Sequence, residues 1–247
     1  MNIIRDISKK TMTEEKRKQA KNDFFAFYVG RPLSYIVTVP FLKTNIKPNT
    51  VSFISFFPSI IGFLLIGFGN KMSIKLVGWL MFFIWNLLDG VDGNLARYKK
   101  EFSKTGSLWD ATSGYIAMVL TFFSMGTGCY YGDFTCLNID RAILITLGGL
   151  SGTLVIFPRL VMHKRITSIG EDKKSQSMKN KNEYGFIKIL GLNLISIAGF
   201  VQVFMVLAII FRVMDIFTIF YFGINIAVCC ASLYKLLQEP EIEEERK

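Results

Sequence analysis

The chain has 247 residues, 51% of them hydrophobic and 19% charged, with a mean hydropathy of +0.38. The apolar residues fall in long runs parted by short polar joints, which excludes an ordinary soluble domain and points to an all-α polytopic membrane protein. The net charge of +10 lies in Lys and Arg clusters beside those runs, as anionic headgroups and positive cytoplasmic loops require, and this distribution argues against nucleic acid as a partner.

Residues 1–23 are charged and Lys-rich, and the expectation for them is a solvated, partly disordered tail with a helix start at Thr13-Glu-Glu-Lys-Arg-Lys18. They contain no apolar stretch of the kind that precedes a signal-cleavage site, so no cleavable signal peptide is expected. Residues 24–44 are aromatic and apolar but broken by Pro32 and Pro40. Their clean part, Leu33 to Leu42, is half the roughly 20 residues of a spanning helix, which predicts an interfacial or re-entrant helix on the cytoplasmic face.

Lys47-Pro-Asn-Thr-Val-Ser52 then opens the first full span, with Pro48 suited to a helix start and Asn49, Thr50 or Ser52 to its cap. The runs predict six transmembrane helices at about 50–69, 74–96, 106–130, 141–162, 186–211 and 214–237. The organisation expected is a cytoplasmic N-terminal segment (1–44), a six-span membrane domain (45–238) and a charged C-terminal tail (239–247). No long internal repeat suggests an inverted-repeat transporter.

The N-terminal segment, the loop 97–105 with Arg97, Lys99, Lys100 and Lys104, and the loop 163–185 with Lys164, Arg165, Lys173, Lys174, Lys179 and Lys181 are basic. The opposite joints are short, and one carries Asp133 and Asp140. The asymmetry places both termini in the cytoplasm, so the second span ends and the third begins on that side. The four cysteines, Cys129, Cys136, Cys229 and Cys230, form no Cys-x-x-Cys pair and are joined by a single histidine, His163, which argues against a zinc site. Cys229 and Cys230 read as core, and Cys129 and Cys136 flank an external loop.

The functional signal is Asn86-Leu-Leu-Asp-Gly-Val-Asp-Gly-Asn-Leu-Ala-Arg-Tyr98, followed by Gly106-Ser-Leu-Trp-Asp-Ala-Thr-Ser-Gly114. Asp89 and Asp92, three residues apart, share a helical face, and Asp110 starts the next run on the same side of the membrane. Unpaired carboxylates beside hydrocarbon are expensive, and a divalent cation is the simplest reason to keep three. Oxygen ligands of this kind suit Mg²⁺ or Mn²⁺ with positions left for a phosphate. Arg97 adds a forked donor for phosphate oxygens. Each residue alone has a plainer reading, as a solvated cap or a packing glycine. Arg159, His163, Lys164 and Arg165 would either bind an acidic acceptor or, more simply, anchor the fourth span at the headgroups. Trp79, Trp85 and Trp109 need no cofactor to explain them.

The series Asp89-Gly-Val-Asp92-Gly93-Asn-Leu-Ala96-Arg97, then Gly106, then Asp110, resembles the signature of the CDP-alcohol phosphotransferase (CDP-alcohol phosphatidyltransferase) family, D-x-x-D-G-x-x-A-R…G-x-x-x-D-x-x-x-D. The resemblance implies transfer of a phospho-alcohol group, often phosphatidyl from CDP-diacylglycerol, to an acceptor hydroxyl, with release of CMP in phospholipid synthesis. It implies two divalent cations (Mg²⁺ or Mn²⁺) on Asp89, Asp92 and Asp110. Gly93, Ala96 and Gly106 would make room for the nucleotide, Arg97 would lie near it, and Asn49 and Ser52 would touch it or its phosphates. It also implies a homodimer in the membrane, here expected to be a bacterial inner (plasma) membrane with the site facing the cytoplasm. A CDP-polyol donor acting on a lipid or glycan acceptor is the alternative.

One position departs from that signature. The fourth aspartate, taken as general base, falls on Gly114. Three readings follow: an enzyme with another base, Asp110 or the substrate's own phosphate; a chain disabled by substitution; or a binding protein with little or no turnover. The intact remainder of the motif favours the first.

Overall fold

In the computed structural model, which describes residues 3–103, 105–170 and 186–238, the apolar runs form helices and no strand occurs among the described residues. In chain order these are α1 (Ile3–Thr11), α2 (Glu14–Ala20), a single π-helical turn (Ala26–Gly30), α3 (Arg31–Leu42), α4 (Pro48–Phe68), α5 (Met72–Lys99), α6 (Gly106–Tyr130), α7 (Arg141–Ile169), α8 (Phe186–Ile195), α9 (Phe200–Ile210) and α10 (Met214–Leu236).

Four of them, α4, α5, α7 and α10, are long and apolar enough to cross a membrane, or five spans if the bent pair α8–α9 counts as one. The chain is thus an integral membrane protein by length and composition. The sequence predicts one span more, at α6. That helix has 25 residues, but beside Ala117, Phe122, Met125 and Cys129 its buried face carries Ser113, Thr121, Ser124, Gly126, Thr127 and Gly128. Small and hydroxyl-bearing residues lower its apolarity and let neighbouring backbones approach.

Those approaches fix the bundle. A Cβ on Gly78 of α5 would meet Ile66 Cγ1 of α4 at 2.7 Å, and one on Gly62 of α4 would meet the Gly78 carbonyl at 2.9 Å. Likewise a Cβ on Gly148 of α7 would meet the Phe122 carbonyl of α6 at 2.7 Å. At one end, buried Lys75 closes the bundle by donating to Ile66 O (2.6 Å) and Gly128 O (3.0 Å). These carbonyls belong to the last turns of α4 and α6, where a cation is favoured. Beside it, Asp215 at the start of α10 accepts from the backbone of Cys136 (2.9 Å) and Leu137 (2.6 Å).

The predicted fifth span is broken, with α8 and α9 at 54°. The carbonyls freed at the break have donors: Tyr221 Oη to Leu194 O (3.0 Å) and Asn86 Nδ2 to Ala198 O (3.4 Å). Such satisfaction is what permits irregular backbone inside a membrane bundle.

The N-terminal tail is corrected. Residues 3–20 form two helices, with Thr13 capping α2 through Lys16 N (3.3 Å). Ile7 of α1 is fully buried, and Asp6 accepts from Tyr98 Oη of α5 at 2.7 Å while Lys10 lies 4.4 Å from the Tyr98 ring centroid. Charged residues on the solvent side of α1 mask its apolar face in a linear reading. α3 packs against α5 through Gly90, where a Cβ would meet Ser34 Cβ at 2.9 Å, and through Asn94 Nδ2 donating to Thr38 Oγ1 (3.2 Å). Helix α7 runs to Ile169, so the basic joint begins later than the sequence predicts. Lys104, Lys173, Lys174, Lys179, Lys181 and the tail 239–247 lie outside the described residues. All four cysteines are free; Cys229 is buried but Cys230 is exposed.

Candidate functional site

A cavity of 580 Å³ opens at the end of the bundle opposite Lys75, between α3, α4, α5 and the start of α6. Proline at the first position of α4 starts that helix at the cavity wall, so Asn49 and Ser52 fall on its first turns. α5 stops when Lys100 adopts the left-handed conformation (φ 56°) and its backbone N–H returns to Ala96 O. The reversal brings α6 back beside α5 within a few residues. Asn49 holds the connecting loop, donating from Nδ2 to Ser103 Oγ (2.8 Å) and Thr105 Oγ1 (3.2 Å).

Asn49, Ser52, Asp89, Asp92, Gly93, Ala96, Arg97, Gly106 and Asp110, the nine site candidates from the sequence, all line this one cavity. Asp92 is buried and accepts a hydrogen bond from Ser52 Oγ. Asp89 is half-buried and Asp110 stands exposed at the rim. Among the described residues, Asp89 and Asp110 have neither a hydrogen-bond donor nor an ion-pair partner. Such carboxylates are costly beside apolar helices unless something positive joins them.

Among the described residues, no three His, Cys, Asp or Glu side chains are gathered tightly enough to enclose a cation by themselves. The aspartates are instead spread around the wall. That all-oxygen set fits Mg²⁺ or Mn²⁺ of the kind held by one or two carboxylates together with a substrate phosphate. The glycines have local reasons as well. A Cβ on Gly93 would meet Arg97 Nη2 at 2.8 Å, and one on Gly106 would meet Asn49 Oδ1 at 3.1 Å. The space at Gly93 is therefore occupied by the Arg97 guanidinium, and the space at Gly106 by Asn49.

Gly114 lies one turn beyond Asp110 on α6 and is not part of the cavity wall. A Cβ there would meet nothing within 4 Å. The next residue, Tyr115, stacks edge-on with His163 of α7, ring centroids 6.3 Å apart. Buried Arg165 is a cap: its Nη1 donates to Leu236 O and to Gln238 O (2.8 Å) at the end of α10. That engagement separates it from Arg159, His163 and Lys164, which are exposed.

The sequence reading missed Arg31, Ser34, Asn86 and Asn94 as cavity residues. Asn86 carried a signal, since it precedes Asp89 by three residues on the same face. Arg31 and Ser34 had none, because only the packing of α3 brings them in.

The family described as CDP-alcohol phosphatidyltransferase matches residues 45–231. The match begins after α3 and includes the α4, α5 and α6 walls of the cavity. No curated protein sequence matches the chain.

Proposed function

The chain belongs to the CDP-alcohol phosphatidyltransferase family, membrane transferases of phospholipid synthesis that move a phospho-alcohol group from a CDP-alcohol to an acceptor hydroxyl, and on that premise we propose that its donor is CDP-diacylglycerol and its product a phospholipid. The observation that carries this reading is the set of three aspartates without ion-pair partners, together with Ser52 and Arg97, around one cavity large enough for a nucleotide diphosphate.

The acceptor oxygen attacks the phosphorus that bears the alcohol, and the bond from that phosphorus to CMP breaks with its electron pair leaving on CMP. The hydroxyl proton passes to Asp110, the exposed carboxylate at the rim, or to the substrate's own phosphate, since Gly114 has no side chain to take it. Asp89, Asp92 and Asp110 would hold two Mg²⁺ or Mn²⁺ ions, which would supply positive charge to offset that of the diphosphate and of the departing CMP. Ser52 fixes the Asp92 carboxylate by hydrogen bonding. Arg97 offers forked donors to phosphate oxygens from above Gly93. Asn49, tied to Ser103 and Thr105, holds the loop that closes the nucleotide side.

The reading includes six spans, counting α6 and the α8–α9 pair, both termini and the cavity on the cytoplasmic side of a bacterial inner membrane, and a homodimer. Gly114 favours one competing reading, a member with little turnover. CMP release by the purified protein with Mg²⁺, from CDP-diacylglycerol and separately from CDP-glycerol and CDP-ribitol, tests the proposal. Release from CDP-diacylglycerol supports it. Release from the CDP-polyols alone would move the chain to a CDP-polyol phosphotransferase acting on a lipid or glycan acceptor. Binding of all three without CMP would make it a binding protein.

A further inference from the structure

The three helices that carry the carboxylate cavity repeat one arrangement. On α4, Ser55 follows Ser52 by three residues, and on α6, Ser113 follows Asp110 by three. On α5, which runs the opposite way, Trp85 precedes Asp89 by four. Spacings of three and four put each pair on one helix face, a turn apart. Ser55, Trp85 and Ser113 therefore form a layer one turn deeper in the bundle than Ser52, Asp89 and Asp110. All three are buried, and none lines the cavity.

Hydrogen bonds join this layer. Trp85 Nε1 donates to Ser113 Oγ (3.1 Å), and the hydroxyl oxygens of Ser113 and Ser55 lie 2.8 Å apart. Ser55 Oγ donates to the backbone carbonyl of Ser52 (2.7 Å), so its proton is already used and Ser113 is the donor to Ser55. Ser52 Oγ in turn donates to Asp92. The chain of bonds runs from an indole that can only donate to a carbonyl that can only accept, and every donor in it has an acceptor. A buried network satisfied in this way holds one arrangement, and removing a member leaves its neighbours unpaired.

Helix α4 packs along both α5 and α6, which touch one another only slightly. Direct packing therefore does little to set how far Asp110 on α6 stands from Asp89 and Asp92 on α5. The Trp85–Ser113 bond joins those two helices directly, a turn beneath the carboxylates. We propose that Ser113, held by Trp85 and Ser55, is a positioning residue that sets the separation of Asp110 from Asp89 and Asp92, and with it the spacing of two divalent cations. Ser113 touches neither cation nor substrate, and its role rests on the cation pair of the transfer reaction proposed above. Two cations that clamp one phosphate stand about 3.5–4 Å apart, so a small slide of α6 against α5 disturbs the pair.

The test is electron paramagnetic resonance of Mn²⁺ added to the full chain in detergent micelles with saturating CDP, a readout that does not need turnover. The unaltered chain binds two ions, and each broadens the spectrum of the other. S113A and W85F each weaken the binding of one ion about tenfold, the scale of losing a partner behind a ligand, and abolish the mutual broadening. The double variant loses no more than either single one, because both break the same bond. L144A is the control for stability alone: it empties a buried position at the opposite end of the bundle, lowers the thermal midpoint and leaves Mn²⁺ affinity and broadening unchanged. W85F keeps an aromatic ring in place and decides the matter if S113A does not fold. Affinity and broadening that persist in folded S113A or W85F, or a loss that L144A shows equally, overturn the positioning role alone. Two ions bound with the predicted losses, but no CMP release, would sink the transfer reaction alone. One ion or none on the unaltered chain sinks both.

Discussion

Ser52 Oγ on α4 donates a hydrogen bond to the carboxylate of Asp92 on α5. Both residues are buried, and the bond sets the register of two helices at the floor of the cavity. Replacing the hydroxyl leaves Asp92 free to turn away from the position in which it can ligate. The variant S52A should lose about 10- to 100-fold in CMP release at limiting Mg²⁺, as outer ligand partners commonly do. A Mg²⁺ titration of the rate checks this, and the loss should shrink at high Mg²⁺.

The same register depends on the close approach of α4 and α5 at Gly78. A side chain there must displace Ile66, so G78V should cost about 1–3 kcal/mol and lower the thermal midpoint in detergent. Gly223 of α10 provides the contrast, because a Cβ there meets nothing within 4 Å. G223A should be neutral or gain up to about 1 kcal/mol.

Gly114 has room for a side chain, so G114D should fold with a stability within about 1 kcal/mol of the unaltered chain. If Asp110 or the substrate's own phosphate takes the proton, the chain already releases CMP and G114D gains no more than about tenfold. A gain of about 10² or more would show that the general base is missing and not replaced.

The docking of α1 should depend on pH. The hydrogen bond from Tyr98, and then Lys10, hold the Asp6 carboxyl below its ordinary value. A depressed acid stabilises the docked state above its unfolded value, and that contribution is lost as pH falls through the folded one. Amide exchange of α1 should therefore stay slow from about pH 7 to about pH 4 and accelerate below that. D6N should exchange faster throughout and lose the acid step.

The carboxylate site was legible because its spacing is local. Asp89, Asp92, Gly93 and Arg97 fall on one face of one helix, and Asp110 follows a short joint, so periodicity alone brings them to one end of the bundle. Arg31 was not legible as a wall residue, since only the packing of α3 against α5 brings it to that cavity. The N-terminal helices were hidden by their charge, and the interior role of α6 by its serines, threonines and glycines, which serve packing and lower apolarity together. The break at Ser196–Gly199 depends on donors from Tyr221 and Asn86, which are remote in sequence.

The central claim is that Asp89, Asp92 and Asp110 act together on the diphosphate of a CDP-alcohol. The most direct test is Mg²⁺-dependent CMP release from CDP-diacylglycerol by the purified chain, beside D89N. Release that requires the cation and falls below detection in D89N is the predicted result. Release that persists in D89N, or that ignores Mg²⁺ and Mn²⁺, would contradict it.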